Sequence, residues 1–239
     1  MLNIADIHQR IYDDPEWRTW NDMIDASNAE SSGKNNWSSA SHAFDVANIA
    51  TNSMHDIGGT MHEIFLVDIA ALLHDCGRIC GNDNHAKASA RIAYAFLHAR
   101  WGKYGGSYIL RRDSNNPTEA IRVNGPLSNE DIDLICHAIA VHSDGIGCQN
   151  SIDAILCLAN SKHCIEQATD DVPLDLQAKI NRIEYRVIKD ALYVDYIADE
   201  DFNIKEFIRR YPKALHVPQR AAIALHKTAL LQLNGYAIR

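Results

Sequence analysis

The sequence predicts a mainly α protein, a helical bundle with a small C-terminal α+β appendage, and three observations lead there. Each strongly patterned segment between residues 41 and 168 repeats its apolar residues at the spacing of one helix face. Beyond that point the repeat shortens to alternation rich in Ile, Val and Tyr, which is the spacing of strands. The chain has 239 residues, 46% hydrophobic and 23% charged, enough for one sizeable core plus an extension under an ordinary globular surface.

Taken in order, residues 2–12 and 16–27 have the pattern of two short amphipathic helices. Asp14-Pro15 sets the start of the second, because proline fits the first helical turn. SNAESSGKNNWSS (27–39) has the composition of a loop. SHAFDVANIATNSM (41–54) is helical, with His42, Val46, Ile49 and Ser53 on one face. Residues 60–76 make a more apolar helix that Gly77 is expected to terminate. HAKASARIAYAFLHARW (85–101) is rich in alanine and other strong helix formers. Residues 102–127, with GKYGGSY, RRDSNNP and NGP, read as a long loop, and Arg111 and Arg112 make it a candidate substrate lid. The next helix opens at Ser128, whose hydroxyl pairs with Asp131 as a capping box. SIDAILCLANSKHCIEQA (151–168) is the fifth helix.

In the last part, INRIEYRVIKDALYVDYI is expected to form a hairpin turning at KDA. FNIKEFIRRY and PQRAAIALHKTALLQL are expected as helices, and NGYAI as a final short strand. The chain thus divides into N-terminal helices and loop (1–39), a helical domain (40–168) and the α+β appendage (169–239).

Composition removes several classes of function. A net charge of −8 offers no general positive field, so nucleic acid is not an expected partner. No apolar stretch has transmembrane length, since 64–73 is short and contains Asp68, and no membrane partner is expected. MLNIADIHQRIYDDPEW lacks the basic-then-apolar order of a signal peptide. The six cysteines (76, 80, 136, 148, 157, 164) form no CxxC pair and mostly fall within apolar helical pattern. They read as reduced, buried small hydrophobes of a cytoplasmic protein.

The twelve histidines are the compositional oddity. His74 falls on the face of Val67, Ala70 and Ala71, His42 on that of Val46 and Ile49, and His142 on that of Ile135 and Ala138. A single inward histidine is ordinarily a core residue bonded to a backbone carbonyl. Three, from three helices, with Asp75 beside His74 and His85 close by, point to a metal site gathered inside a bundle. Imidazole and carboxylate suit Zn, Fe, Mn, Ni or Co. His8, His98, His216 and His226 are expected to be solvated or half-buried, and His55 and His62 to lie at loop edges. His137 lies well round the helix from His142, and His163 one turn past the key region of its own. None of these is assigned as a ligand.

The order His42, His74-Asp75, His85, His142, then LCLAN resembles the HD-domain metal-dependent phosphohydrolases over residues 40–165. Their pattern is a lone His, an LLHD helix end followed by glycine and a cation, a His-led helix start, an AI..H segment and a closing L..AD. LLHDCGR, HAKASARIA and AIAVHSDG fit in order. The resemblance implies a helical domain holding one or two divalent metal ions, of Mn, Fe, Zn, Ni, Co or Mg. His42, His74 and Asp75 would hold the first together with the closing position, Asn160, while His85 and His142 would hold the second with Asp75 bridging. It implies hydrolysis of a phosphomonoester or phosphodiester, of a nucleotide or other small molecule, by a metal-activated water, with Asp75 as the catalytic carboxylate. Arg78 and Lys87 are candidates to hold phosphate oxygens. By similarity to HD proteins with such tails, the appendage is expected to be structural or to form a homodimer.

The chain departs from that pattern at Asn160, which stands where the family has aspartate. Asn160 shares a face with Leu156 and Cys157, so it points inward as the ligand should. An amide oxygen brings no charge and is a poor ligand beside imidazoles. The site is then impaired, active in altered form, or that of an engineered variant, and the residues leave all three open. Two other readings stay beside hydrolysis: a degenerate HD domain that binds a ligand or partner without turnover, and a di-iron oxygenase on the same scaffold.

Overall fold

A computed structural model of the chain describes residues 4–32, 39–81, 83–101, 108–111, 120–123, 127–167 and 172–238. Helices α1 (Ile4–Asp13) and α2 (Pro15–Ser32) precede a bundle of α3 (Ser39–Asp56), α4 (Met61–Leu73), α5 (His85–Trp101), α6 (Asn129–Val141) and α7 (Ser151–Glu166). Between α5 and α6 lies a two-stranded antiparallel ladder, β1 (Tyr108–Arg111) with β2 (Ala120–Val123). After the short α8 (Leu174–Gln177) come β3 (Ile180–Ile188), β4 (Ala191–Ala198), α9 (Ile204–Arg210), α10 (Lys213–Ala224), β5 (Thr228–Leu233) and β6 (Tyr236–Ala237).

Helix α4 is the axis of the bundle. From Leu66 to Leu73 every residue is buried, so it is covered on all sides, as a helix apolar all round must be. Its start is fixed by Thr60, whose hydroxyl accepts from Glu63 N while the Glu63 carboxylate accepts from Thr60 N. Its end is fixed from another part of the chain: the Trp17 indole N–H of α2 donates to Leu72 O at 2.8 Å. That bond satisfies one of the carbonyls that every helix end leaves without an intrahelical donor. This buried helix therefore delivers His74 and Asp75 into the interior. Helix α6 opens as the sequence indicates, with Asp131 N donating to Ser128 Oγ and Ser128 N to Asp131 Oδ2.

In the appendage, β3 and β4 pair antiparallel around a tight turn in which Lys189 has φ +52°. The chain then crosses through α9 and α10 and returns as β5, parallel to β4 in the register Ala191↔Thr228 to Tyr196↔Leu233. One apolar cluster includes Val46, Leu73 and Ile155 of the bundle and Ile183, Val194 and Phe207 of the appendage, so the core is continuous across both. Among the described residues no helix is long and apolar enough to cross a membrane.

Four local expectations need correction. The helix of α2 continues to Ser32, five residues past its expected end, although SNAESS has the composition of a loop. Part of 102–127 is strand rather than loop; Arg111 lies in β1, while Arg112 falls outside the described residues. TALLQL is a strand, not the end of a helix. Helix α10 stops where His226 turns left-handed at φ +55°, and Thr228 N then donates to Asp190 O, which lays the segment along β4. Pairing to a neighbouring strand overrides a leucine spacing compatible with either state.

The last correction concerns Gly77. It does not end α4, which has already stopped at Leu73; it lies inside a 3-10 turn, Cys76–Cys80. A side chain there would sit 2.2 Å from Ser89 N and 2.6 Å from His85 O, and Gly77 N donates to Ser89 Oγ at 2.8 Å. Glycine is needed because this turn lies flush against the first turns of α5, and that contact sets where His85 points. Gly77→Ala is expected to lower stability by roughly 3 kcal/mol, the upper end for overpacking because the obstructing atoms are backbone. Urea denaturation would read this as a reduced midpoint, and an unchanged midpoint would contradict the role given to Gly77.

Candidate metal centre

Four helices bring histidines to Asp75. His42 comes from α3, His74 caps the C-terminus of α4, His85 is the first residue of α5 and His142 caps the C-terminus of α6. The carboxylate is divided between two pairs of imidazoles. Asp75 Oδ2 lies 3.5 Å from His42 Nε2 and 3.6 Å from His74 Nε2, and those two nitrogens are 3.0 Å apart. Asp75 Oδ1 lies 3.3 Å from His85 Nε2 and 3.5 Å from His142 Nε2, which are themselves 3.3 Å apart. Within each group the possible ligand atoms all fall within 4.8 Å of one another.

The same local device orients two of the four rings. His74 Nδ1–H donates to Ala71 O at 2.6 Å, and His142 Nδ1–H donates to Ile139 O at 2.7 Å. Each bond runs from a C-terminal histidine to a carbonyl three residues back, one of those a helix end leaves unsatisfied. A neutral imidazole that donates through Nδ1 has its lone pair at Nε2. Both lone pairs therefore face Asp75, and the negative ends of two helix dipoles meet there.

Electrostatics favour the neutral form of His42 and His74 and the charged form of Asp75. Burial, with the facing His74 next, pushes the His42 imidazole well below its usual range. Burial lowers His74 to about 4 even though Asp75 acts in the opposite direction. For Asp75 burial is the largest influence and would raise it, but His74 and the Arg78 guanidinium together hold it well below the usual carboxylate range. Neutral imidazole and ionised carboxylate are the forms that bind metals.

These residues fit a metal ion. Asp75 Oδ1 is buried without a hydrogen-bond donor, although two imidazole nitrogens face it. Lone pairs converging on a carboxylate repel one another unless a cation lies between them.

The remaining predicted residues are placed differently. Asn160 is buried on α7, accepts from Cys164 Sγ at 3.6 Å, and lines a pocket together with His85. Arg78 donates from Nε to Asp75 Oδ2 at 2.6 Å, so it is engaged with the ligand carboxylate itself. Lys87 is exposed and sits roughly 200° round α5 from His85, outside the pocket lining.

That pocket is completed by Ser143, Ser161, Cys164, Tyr211 and Lys213. Its wall contains hydroxyls, an amide and one ammonium but no carboxylate. Tyr211 and Lys213 come from the appendage, more than fifty positions beyond Asn160, and no motif singles them out. Ser143 Oγ lies 3.2 Å from His85 Nε2 and adjoins His142 in sequence. Three of the histidines not assigned as ligands pair with carboxylates: His8 with Asp68, His62 with Asp131 and His137 with Asp153. His163 contacts His42 directly. The sequence signal for it is its place three positions after Asn160 on the same helix face. Cys80 is exposed, unlike the other cysteines.

Fold and site together define a helical domain built round an adjacent His-Asp pair whose imidazoles and carboxylate could hold a metal ion. A family model described as the HD domain matches residues 39–164, slightly more than half of the chain, and the chain belongs to the HD domain family. A comparison with curated proteins gives no match.

The buried imidazoles make a prediction for the metal-free protein. His74 titrates at about 4 when folded and near 6.5 when unfolded, so between those values the unfolded chain binds the extra proton. Stability is then lost as pH falls from about 6.5 towards 4, by roughly 3 kcal/mol for His74 alone. Denaturation midpoints measured between pH 7 and 4 should fall accordingly, and His74→Gln should flatten the slope.

Proposed function

We propose that the chain is a metal-dependent phosphohydrolase acting on a phosphomonoester or phosphodiester, of a nucleotide or other small molecule. The observation that carries this reading is Asp75, one carboxylate shared by two pairs of imidazoles beside a pocket walled by neutral and cationic donors. His42, His74 and Asp75, with Asn160 in the closing position, would hold one ion; Asp75, His85 and His142 would hold the other. Bound Mn, Fe, Zn, Ni, Co or Mg would supply an activated water and neutralise phosphoryl charge.

The protein's own groups divide the remaining work. Arg78 orients Asp75 through its 2.6 Å bond, in place of the phosphate-holding role expected from sequence. Lys213 takes the cationic role at the pocket: it is half-buried, lines the wall, and among the described residues makes no ion pair. Ser143, Ser161 and Tyr211 add hydroxyl donors for phosphate oxygens. Asn160 favours a second reading, ligand binding without turnover, because it leaves the ligand set with one negative charge that Arg78 already offsets.

The chain and its Asn160→Asp variant, assayed with Mn(II) against nucleotides and simple phosphate esters, separate the two readings. Turnover by the chain, raised in the Asp form, is the expected result. Poor metal binding by both forms with no turnover would end the hydrolase reading, and turnover requiring Fe(II) and oxygen would replace it with an oxygenase. Lys213→Ala is expected to raise KM about tenfold with little change in kcat, as loss of one charged hydrogen bond implies. Since the ligand set is poor in negative charge, inorganic phosphate should tighten Mn(II) binding, and calorimetry with and without phosphate measures this.

A further inference from the structure

His163 and Asp45 belong to neither ligand group, yet they form a chain of contacts that ends at the metal centre. Asp45 Oδ2 lies 3.3 Å from His163 Nε2, and His163 Nδ1 lies 2.9 Å from His42 Nδ1. Beyond the His42 ring, Nε2 faces His74 Nε2 and Asp75 Oδ2. The two rings are buried and meet edge to face with centroids 4.6 Å apart. Helix α3 presents His42 and, one turn on, the exposed Asp45; α7 inserts His163 between them.

The order of donors and acceptors along this chain is determined from its outer end. A carboxylate only accepts, so His163 donates to Asp45 through Nε2–H. In its neutral form that ring has its lone pair at Nδ1, which can only accept, and His42 then donates to it through Nδ1–H. His42 Nε2 is left with the lone pair directed at Asp75. Helix-end carbonyls impose the same tautomer on His74 and His142, whereas the His42 Nδ1 faces the His163 ring at 2.9 Å. We infer that the Asp45–His163 pair is a positioning device that fixes the Nδ1–H tautomer of His42 and so prepares the first ligand group for metal. The consequence for affinity rests on His42 being a ligand, whereas the tautomer does not.

Leucine at 163 fills similar space without an acceptor, while asparagine places its amide oxygen near the position of Nδ1. Nitrogen-15 spectra of the metal-free chain should show His42 as the Nδ1–H tautomer, mixed in His163→Leu and restored in His163→Asn. Co(II) titration followed by its visible spectrum should show affinity falling roughly 10- to 100-fold in His163→Leu and recovering to within about threefold in His163→Asn. Asp45→Ala, on the exposed end, should weaken Co(II) severalfold without touching the core. An unchanged His42 tautomer in a folded His163→Leu, or failure of His163→Asn to recover what leucine lost, would overturn the inference. If the chain binds no Co(II) at all, the metal reading fails, and the nitrogen-15 spectra alone decide the role of His163.

Discussion

The sharing of Asp75 is the constraint on which the rest depends. Its two oxygens face two imidazole pairs, and the residue is almost fully buried. Such a carboxylate is tolerable only if compensating charge is held close to it. Arg78 provides part of that charge. The rest of the architecture places imidazoles around it with their lone pairs turned inward. Helix α4 delivers Asp75 to the interior, the 3-10 turn with Gly77 brings α5 against it, and α6 ends where His142 can reach it.

Backbone chemistry does much of the orienting. His74 and His142 each fill a vacancy that any helix C-terminus possesses, so one bond both satisfies a carbonyl and fixes a tautomer. Ligand geometry and helix termination are thus the same feature. His42 lies inside its helix and meets His163 of α7, so α3 and α7 jointly orient one candidate ligand.

Much of this was legible in the sequence, for physical reasons. Helical periodicity placed His42, His74 and His142 on apolar faces, and all three are buried. Ser128 and Asp131 announced the start of α6 because capping is local chemistry. What escaped reading depends on contacts between distant segments. Gly77 looked like a helix terminator, although its need arises from Ser89 across a packed interface. TALLQL became a strand because β4 was available to pair with it. Lys213 and Tyr211 reach the pocket only when the appendage folds onto the bundle, and spacing within one segment does not encode that.

Asn160 marks the tension in the site. It occupies the wall beside His85 as a neutral, buried amide, so Asp75 is the one carboxylate of the two ligand groups. The direct measurement is anomalous diffraction from crystals of the full chain grown with Mn(II). Two ions are predicted, one among His42, His74 and Asp75 and the other among Asp75, His85 and His142, the first less occupied because Asn160 adds no charge. Anomalous density absent from Asp75, or present only elsewhere on the protein, would contradict the account.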